Sequence, residues 1–203
     1  MDLPLFLLLL GVASLAMLVP AVFAGITREL ETGRAFLYTG LLGLILFGMI
    51  ALTVRGRPRR RDAFGPLIAL FCAFTVLPVV LAVPFHEAVQ NTSFFNAYLE
   101  MVSAMTTTGA PVFDDPSRLN EPLHLWRAQV AWLGGLLMWI AAAAIMAPLN
   151  LGGFEVTTRA EPGRRPSYDA TMAAPLAQTR ITRAASALIP IYLGLTVLLW
   201  VLL

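Results

Sequence analysis

Residues 93–110 read Ser93-Phe94-Phe95-Asn96-Ala97-Tyr98-Leu99-Glu100-Met101-Val102-Ser103-Ala104-Met105-Thr106-Thr107-Thr108-Gly109-Ala110, and this stretch decides the architecture. Residues 94–105 are mostly apolar, yet the run is too short to cross a bilayer, which takes about 20 apolar residues in a helix. It ends in three hydroxyl residues and a glycine, Thr106, Thr107, Thr108 and Gly109, and long apolar segments flank it on both sides. That order predicts a re-entrant half-helix whose tip carries non-helical backbone to membrane depth. Such backbone is tolerated there only if it is buried in protein or lines a watery cavity. A short helix aiming its partially negative C-terminal end at a pore favours a cation. A Thr/Gly loop just beyond it offers carbonyl and hydroxyl oxygens in place of an ion's water shell. The stretch reads as part of a cation path.

Composition agrees. Hydrophobic residues make up 58% of the 203 and charged residues 13%, against ~25% charged in a soluble domain. A formal net charge of +2 is too small to imply a nucleic-acid partner, and all 14 basic residues are Arg. The single Cys72 lies in an apolar stretch, which leaves neither a disulfide framework nor a cysteine metal site. His86-Glu87 lacks the second His of a zinc-protease helix, and the sequence has no Gly-rich phosphate loop. A soluble enzyme is excluded, no covalently bound cofactor is expected, and the lipid bilayer is the surrounding medium.

Five candidate spans lie at roughly 3–25, 35–54, 64–85, 123–147 and 184–203. The first resembles a signal peptide at Val22-Phe23-Ala24-Gly25. No positive charge precedes it, however, and its apolar run exceeds the usual ~7–15 residues, so a retained helix is the better reading. The loop Arg55-Gly56-Arg57-Pro58-Arg59-Arg60-Arg61 is strongly basic, as is the stretch with Arg159, Arg164, Arg165, Arg180 and Arg183. The connection 26–34 is balanced, and the surroundings of the half-helix are acidic, with Glu87, Asp114, Asp115 and Glu121. The positive-inside rule then places both Arg-rich loops and the N-terminus in the cytoplasm and the half-helix on the outer side. The expected fold is an all-α membrane protein of five transmembrane helices plus one re-entrant pore half-helix.

The unit from 64 to 147 follows the plan helix, half-helix, oxygen-rich loop, helix. Leu99 to Ala110 resembles the first pore loop of TrkH-type potassium-uptake subunits, in the Trk/Ktr/HKT superfamily. The resemblance continues through Leu125-Trp126-Arg127, Trp132-Leu133-Gly134-Gly135, Pro148, Gly152-Gly153 and Ile191-Tyr192-Leu193-Gly194-Leu195-Thr196. In that family four helix–pore–helix repeats in one chain surround a single ion path, behind an extra N-terminal helix pair. The resemblance implies that 1–62 is the extra pair and 63–153 the first repeat with its filter loop. It makes 154–183 a cytoplasmic linker and 184–203 the first helix of a truncated second repeat. Family members are more than twice this long, so the sequence is expected to be an N-terminal fragment or one piece of a split transporter.

The same resemblance implies a bacterial inner-membrane protein that transports potassium ions, works with a cytoplasmic nucleotide-binding regulatory subunit and forms a homodimer of full-length chains. It suggests that Thr107, Thr108, Gly109 and Ala110 contribute backbone oxygens to potassium, with Thr106 at the helix end. Glycine at this filter position accompanies potassium passage in the related plant transporters. Glycine also takes positive φ without steric cost and lets carbonyls converge. The bland alternative is that Gly109 only caps a helix. Glu100 is expected to brace the loop by hydrogen bonding rather than to ligate the ion. In that role Glu100→Gln keeps most of the hydrogen-bonding capacity. Ser103 is expected to support the filter with Glu100, its hydroxyl bonding back to its own helix and so needing no ion, and His124 and Arg127 to snorkel to the interface. Asp114 and Asp115 either concentrate cations or are solvated loop residues. Gly134-Gly135 is expected to let the following helix approach the half-helix.

Because a single repeat supplies about a quarter of the oxygens that replace a potassium hydration shell, a non-conducting truncated or assembly module is the alternative to a pore-forming subunit. The topology is directly testable: a reporter fused after Arg61 or Arg164 should be cytoplasmic, and one near Asn120 external. Residues 61 and 120 on the same side would refute the re-entrant arrangement.

Overall fold

The computed structural model describes residues 5–54, 65–113, 115–143 and 177–202, and every regular element among them is helical. In chain order these are α1 (Leu5–Ala16), α2 (Leu18–Ile26), α3 (Leu30–Val54), α4 (Gly65–Thr75) and α5 (Leu77–Ala88). They are followed by α6 (Phe94–Met105), a 3-10 turn (Pro116–Arg118), α7 (Glu121–Ala141) and α8 (Ala177–Leu202). Leu5–Ile26, Leu30–Val54, Leu67–Ala88 and Arg183–Leu202 are long and apolar enough to cross a membrane. The span expected over 123–147 corresponds to α7, where Glu121, His124, Arg127 and Gln129 lower the hydropathy, and its residues 144–147 lie outside the described residues. The Arg-rich loop 55–61, Pro148, Gly152-Gly153 and the expected linker as far as residue 176 also lie outside them, whereas residues 177–183 belong to α8.

Two units can be distinguished, Met1–Gly135 and Leu136–Leu203. In the second, α8 contains Pro190 and exposes apolar side chains such as Leu199 and Trp200. In the first, α3 lies against α1 and α2 through small residues. A Cβ on Gly43 would collide with the Ser14 hydroxyl, and one on Gly40 would meet the Ser14 carbonyl at 3.1 Å. Close approach of this kind substitutes for a hydrophobic driving force where the solvent is itself apolar. Phe36 of α3 meets Trp126 of α7 edge-on at 5.4 Å, and Phe36, Phe85, Met101, Leu123 and Trp126 are buried at the centre.

Prolines divide two of the expected spans, and in each case another helix repairs the backbone. Pro20 has no N–H for the Ala16 carbonyl four residues earlier, and the span breaks at Met17 between α1 and α2. The freed carbonyl accepts instead from Gln129 Nε2 of α7 at 3.0 Å. Near Pro78, Val79 N–H turns to the Val76 carbonyl at 3.0 Å. The Tyr98 hydroxyl of α6 then donates to the Thr75 carbonyl at 3.2 Å. Both repairs meet the requirement that backbone groups away from water find partners.

Three connections meet at one end of the first unit. Gln90 Nε2 donates to Glu31 at 3.2 Å, and Asn120 Nδ2 donates to Thr32 at 2.7 Å. Arg118 Nη2 reaches the Asn91 carbonyl at 3.4 Å. Asn91 precedes α6 and Arg118 follows its loop, so the segment between them leaves this end and returns to it. Replacing Gln129 with Leu should strand the Ala16 carbonyl and cost about 1–3 kcal/mol. A chemical-denaturation midpoint in detergent would register that loss, whereas an unchanged midpoint would show that the contact contributes nothing.

Candidate functional site

The short helix α6 begins where Ser93, in extended conformation, accepts the Asn96 N–H on its side chain at 3.2 Å. Its buried face is Ala97, Glu100, Met101 and Met105, a spacing that sets one stripe against the core. Its C-terminal end reaches α7 at Gly134, where a Cβ would collide with the Met105 carbonyl. Gly134 lies about 20 Å along α7 from its start, at 1.5 Å per residue. A larger residue there would push the half-helix out of register.

Past Met105 the chain closes in a Schellman cap. Thr107 N–H donates to the Ala104 carbonyl and Thr108 N–H to the Ser103 carbonyl, each at 3.0 Å. The residue in the left-handed position is Thr107, with φ 56°, where glycine is the usual occupant. Gly109 has φ 71° and its N–H also turns toward the Ser103 carbonyl at 3.4 Å. The helix is therefore capped by Thr107, and capping does not account for Gly109. A Cβ on Gly109 meets nothing within 4 Å, so among the described residues its need for glycine comes from φ and not from crowding.

The consequence is a row of free oxygens. The N–H groups of Thr106, Thr107, Thr108 and Gly109 all point back to carbonyls of residues 102–104. Among the described residues no donor reaches the carbonyls of Thr106, Thr107, Thr108 or Gly109. The hydroxyls of Thr106 and Thr108 pair at 2.8 Å, and Thr106 also donates to the Val102 carbonyl at 2.8 Å. Thr107, Thr108, Gly109 and Ala110 are exposed. Among the described residues no three His, Cys, Asp or Glu side chains converge on a metal position.

Behind the loop, Glu100 is 1% exposed. Its Oε2 accepts the Val112 N–H at 2.8 Å and its Oε1 pairs with Arg127 Nε at 2.6 Å. Ser103 Oγ donates to the Ala110 carbonyl at 2.7 Å. Glu100, Ser103, Gly109, His124, Arg127 and Ala128 help line an open cavity of about 290 Å³.

No family model matches the chain. Direct comparison with known proteins is more informative. Over 194 residues, 94% of this chain, it is 34% identical to the Trk system potassium uptake protein TrkH of Vibrio parahaemolyticus. It is 32% identical over 89% of its length to TrkH of Escherichia coli K12, and 31% identical over 83% to that organism's TrkG. This chain is a relative of the Trk potassium uptake proteins. It spans 38% of the Vibrio relative and 36% of the E. coli TrkH.

The geometry gives specific partners to four residues of this Trk-like segment. Arg127, expected to snorkel to the interface, is the ion partner of Glu100. The sequence held a signal for this, because a carboxylate at membrane depth needs a cation and Arg127 stands early in the next helix. Ser103 does not bond to its own helix but crosses to Ala110, so that carbonyl is already shared with a donor. His124 Nε2 lies 3.2 Å from the Pro116 carbonyl. Asp115 takes the Ser117 hydroxyl at 2.7 Å and its N–H at 2.9 Å. Those two bonds, in that order, hold its carboxyl below the usual range, so it is committed to its own turn. Asp114 lies outside the described residues.

The two positive-φ positions should respond with opposite signs. Thr107→Gly removes a left-handed β-branched residue and should stabilise by about 1 kcal/mol, while Gly109→Ala should destabilise by a similar amount. Thermal unfolding of the purified variants in detergent would compare them; equal signs would contradict the cap assignment.

Proposed function

We propose that this chain is part of a Trk-type pore-forming subunit and that its loop Thr106–Ala110 holds potassium during passage. One observation carries the reading: four consecutive carbonyls, Thr106 to Gly109, have no donor among the described residues. They stand at the C-terminal end of a half-helix whose entry and exit meet at Asn91 and Arg118. Oxygens in that state suit a cation that has shed its water, and the partial negative charge of the helix end adds to the attraction. Thr107, Thr108 and Gly109 are the principal potassium ligands, with Thr106 at the helix end and Ala110 sharing its carbonyl with Ser103. The names of the relatives, all potassium uptake proteins, supply the ion.

In this reading α1–α2, α3, α4–α5, α7 and α8 are five transmembrane spans and α6 is the re-entrant half-helix. Residues 1–62 form the extra helix pair, 63–153 the first repeat, 154–183 a cytoplasmic linker and 184–203 the start of a second repeat. The N-terminus is cytoplasmic in a bacterial inner membrane. By the family resemblance, the full assembly is a homodimer of longer chains with a cytoplasmic nucleotide-binding regulatory subunit. The alternative, a non-conducting assembly module, draws on the fact that one loop supplies about a quarter of a hydration shell.

Gly109→Ser separates the two. In a chimera where this segment replaces the matching part of Vibrio TrkH, the variant should lower potassium-dependent growth and rubidium uptake or weaken preference over sodium. Membrane protein levels should stay normal, because the apolar spans that govern insertion are untouched. Unchanged uptake and preference at normal levels would remove the loop from the ion path.

A further inference from the structure

We infer that Arg127 is a positioning residue that sets the loop's cation affinity through Glu100, an inference that rests on reading Thr106–Ala110 as the ion-binding segment. Glu100 faces two donors, the Arg127 Nε–H on one oxygen and the Val112 N–H on the other. A carboxylate has an acceptor for each. A glutamine has one carbonyl oxygen and an NH₂, so in either orientation of the amide one donor would face another donor. The conservative exchange expected from the sequence to be mild is therefore one acceptor short.

Charge sharpens the argument. Glu100 is 2% and Arg127 28% exposed at the side chain, and both border the cavity that also touches Ser103 and Gly109. Paired, they contribute no net charge beside the loop. Unpaired, the guanidinium would stand as a lone cation next to the oxygens that receive one, and would oppose entry. The geometric chain is short: Arg127 orients Glu100, Glu100 holds Val112, and Val112 lies two residues beyond Ala110, whose carbonyl Ser103 holds from the other side.

The test is a double-mutant cycle in the same chimera, with Gly109→Ser run alongside. Glu100→Gln, which leaves a lone guanidinium beside the loop, should raise the potassium KM by about tenfold, the scale of a lost charge-assisted hydrogen bond, and Arg127→Gln, which leaves a lone carboxylate there, should lower it by a similar factor, each with a smaller change in maximal rate. The double variant removes both charges and restores a matched amide pair: the amide at 100 accepts from Val112 N–H and donates to the amide at 127. Its KM and potassium/sodium preference should return close to those of the unmutated chimera. A double variant no better than the worse single, including one that fails to reach the membrane, would overturn the inference. So would a normal KM in Arg127→Gln. If Gly109→Ser is without effect, the ion-path reading falls as well; if Gly109→Ser impairs uptake and Arg127→Gln leaves the KM unchanged, only the role of Arg127 falls.

Discussion

A carbonyl that loses its helical N–H in an apolar setting must find another donor, and much of this structure follows from how three such losses are met. At Ala16, proline removes the donor and Gln129 replaces it from α7. At Thr75, a tightened turn diverts the donor and Tyr98 replaces it from α6. Both repairs cross between helices, so each broken span becomes a tie to the unit that carries the loop. At Thr106 to Gly109 the helix has ended, Pro111 has no N–H and Val112 N–H goes to Glu100, and among the described residues no other donor reaches these carbonyls. The first two are structural repairs. The third leaves carbonyl oxygens without a donor among the described residues.

The position of that oxygen row is held from both sides. Gly134 admits the end of α6 against α7, with no room for a methyl group at the Met105 carbonyl. On the return side, Glu100 holds Val112 and Ser103 holds Ala110. The loop is thereby tied before and after its free carbonyls and not at them. Ties of this kind fix the loop backbone on both sides without occupying those carbonyls.

The conformational strain sits at Thr107. A β-branched residue in the left-handed region costs roughly 1–2 kcal/mol relative to glycine. Its hydroxyl neighbours Thr106 and Thr108 pair with each other across this left-handed residue, where helix passes into loop.

Apolar run lengths, the short segment 94–105 and the Thr/Gly terminus were enough to read helices, their order and the place of the loop from the sequence, because each is set by local periodicity and by the length a bilayer demands. The match to the Trk proteins was legible in the same residues. The partners across helices were not: Arg127 with Glu100, Gln129 with Ala16, Tyr98 with Thr75 and Ser103 with Ala110 join residues whose pairing depends on helix rotation and depth. Gly109 was recognisable as a positive-φ residue, but the cap at Thr107 was not, since threonine carries no signature for that conformation. Local sequence determined which segments fold and where oxygen could gather. Tertiary structure decided which of those oxygens remain free, because hydrogen-bond satisfaction is settled only when distant donors have been placed.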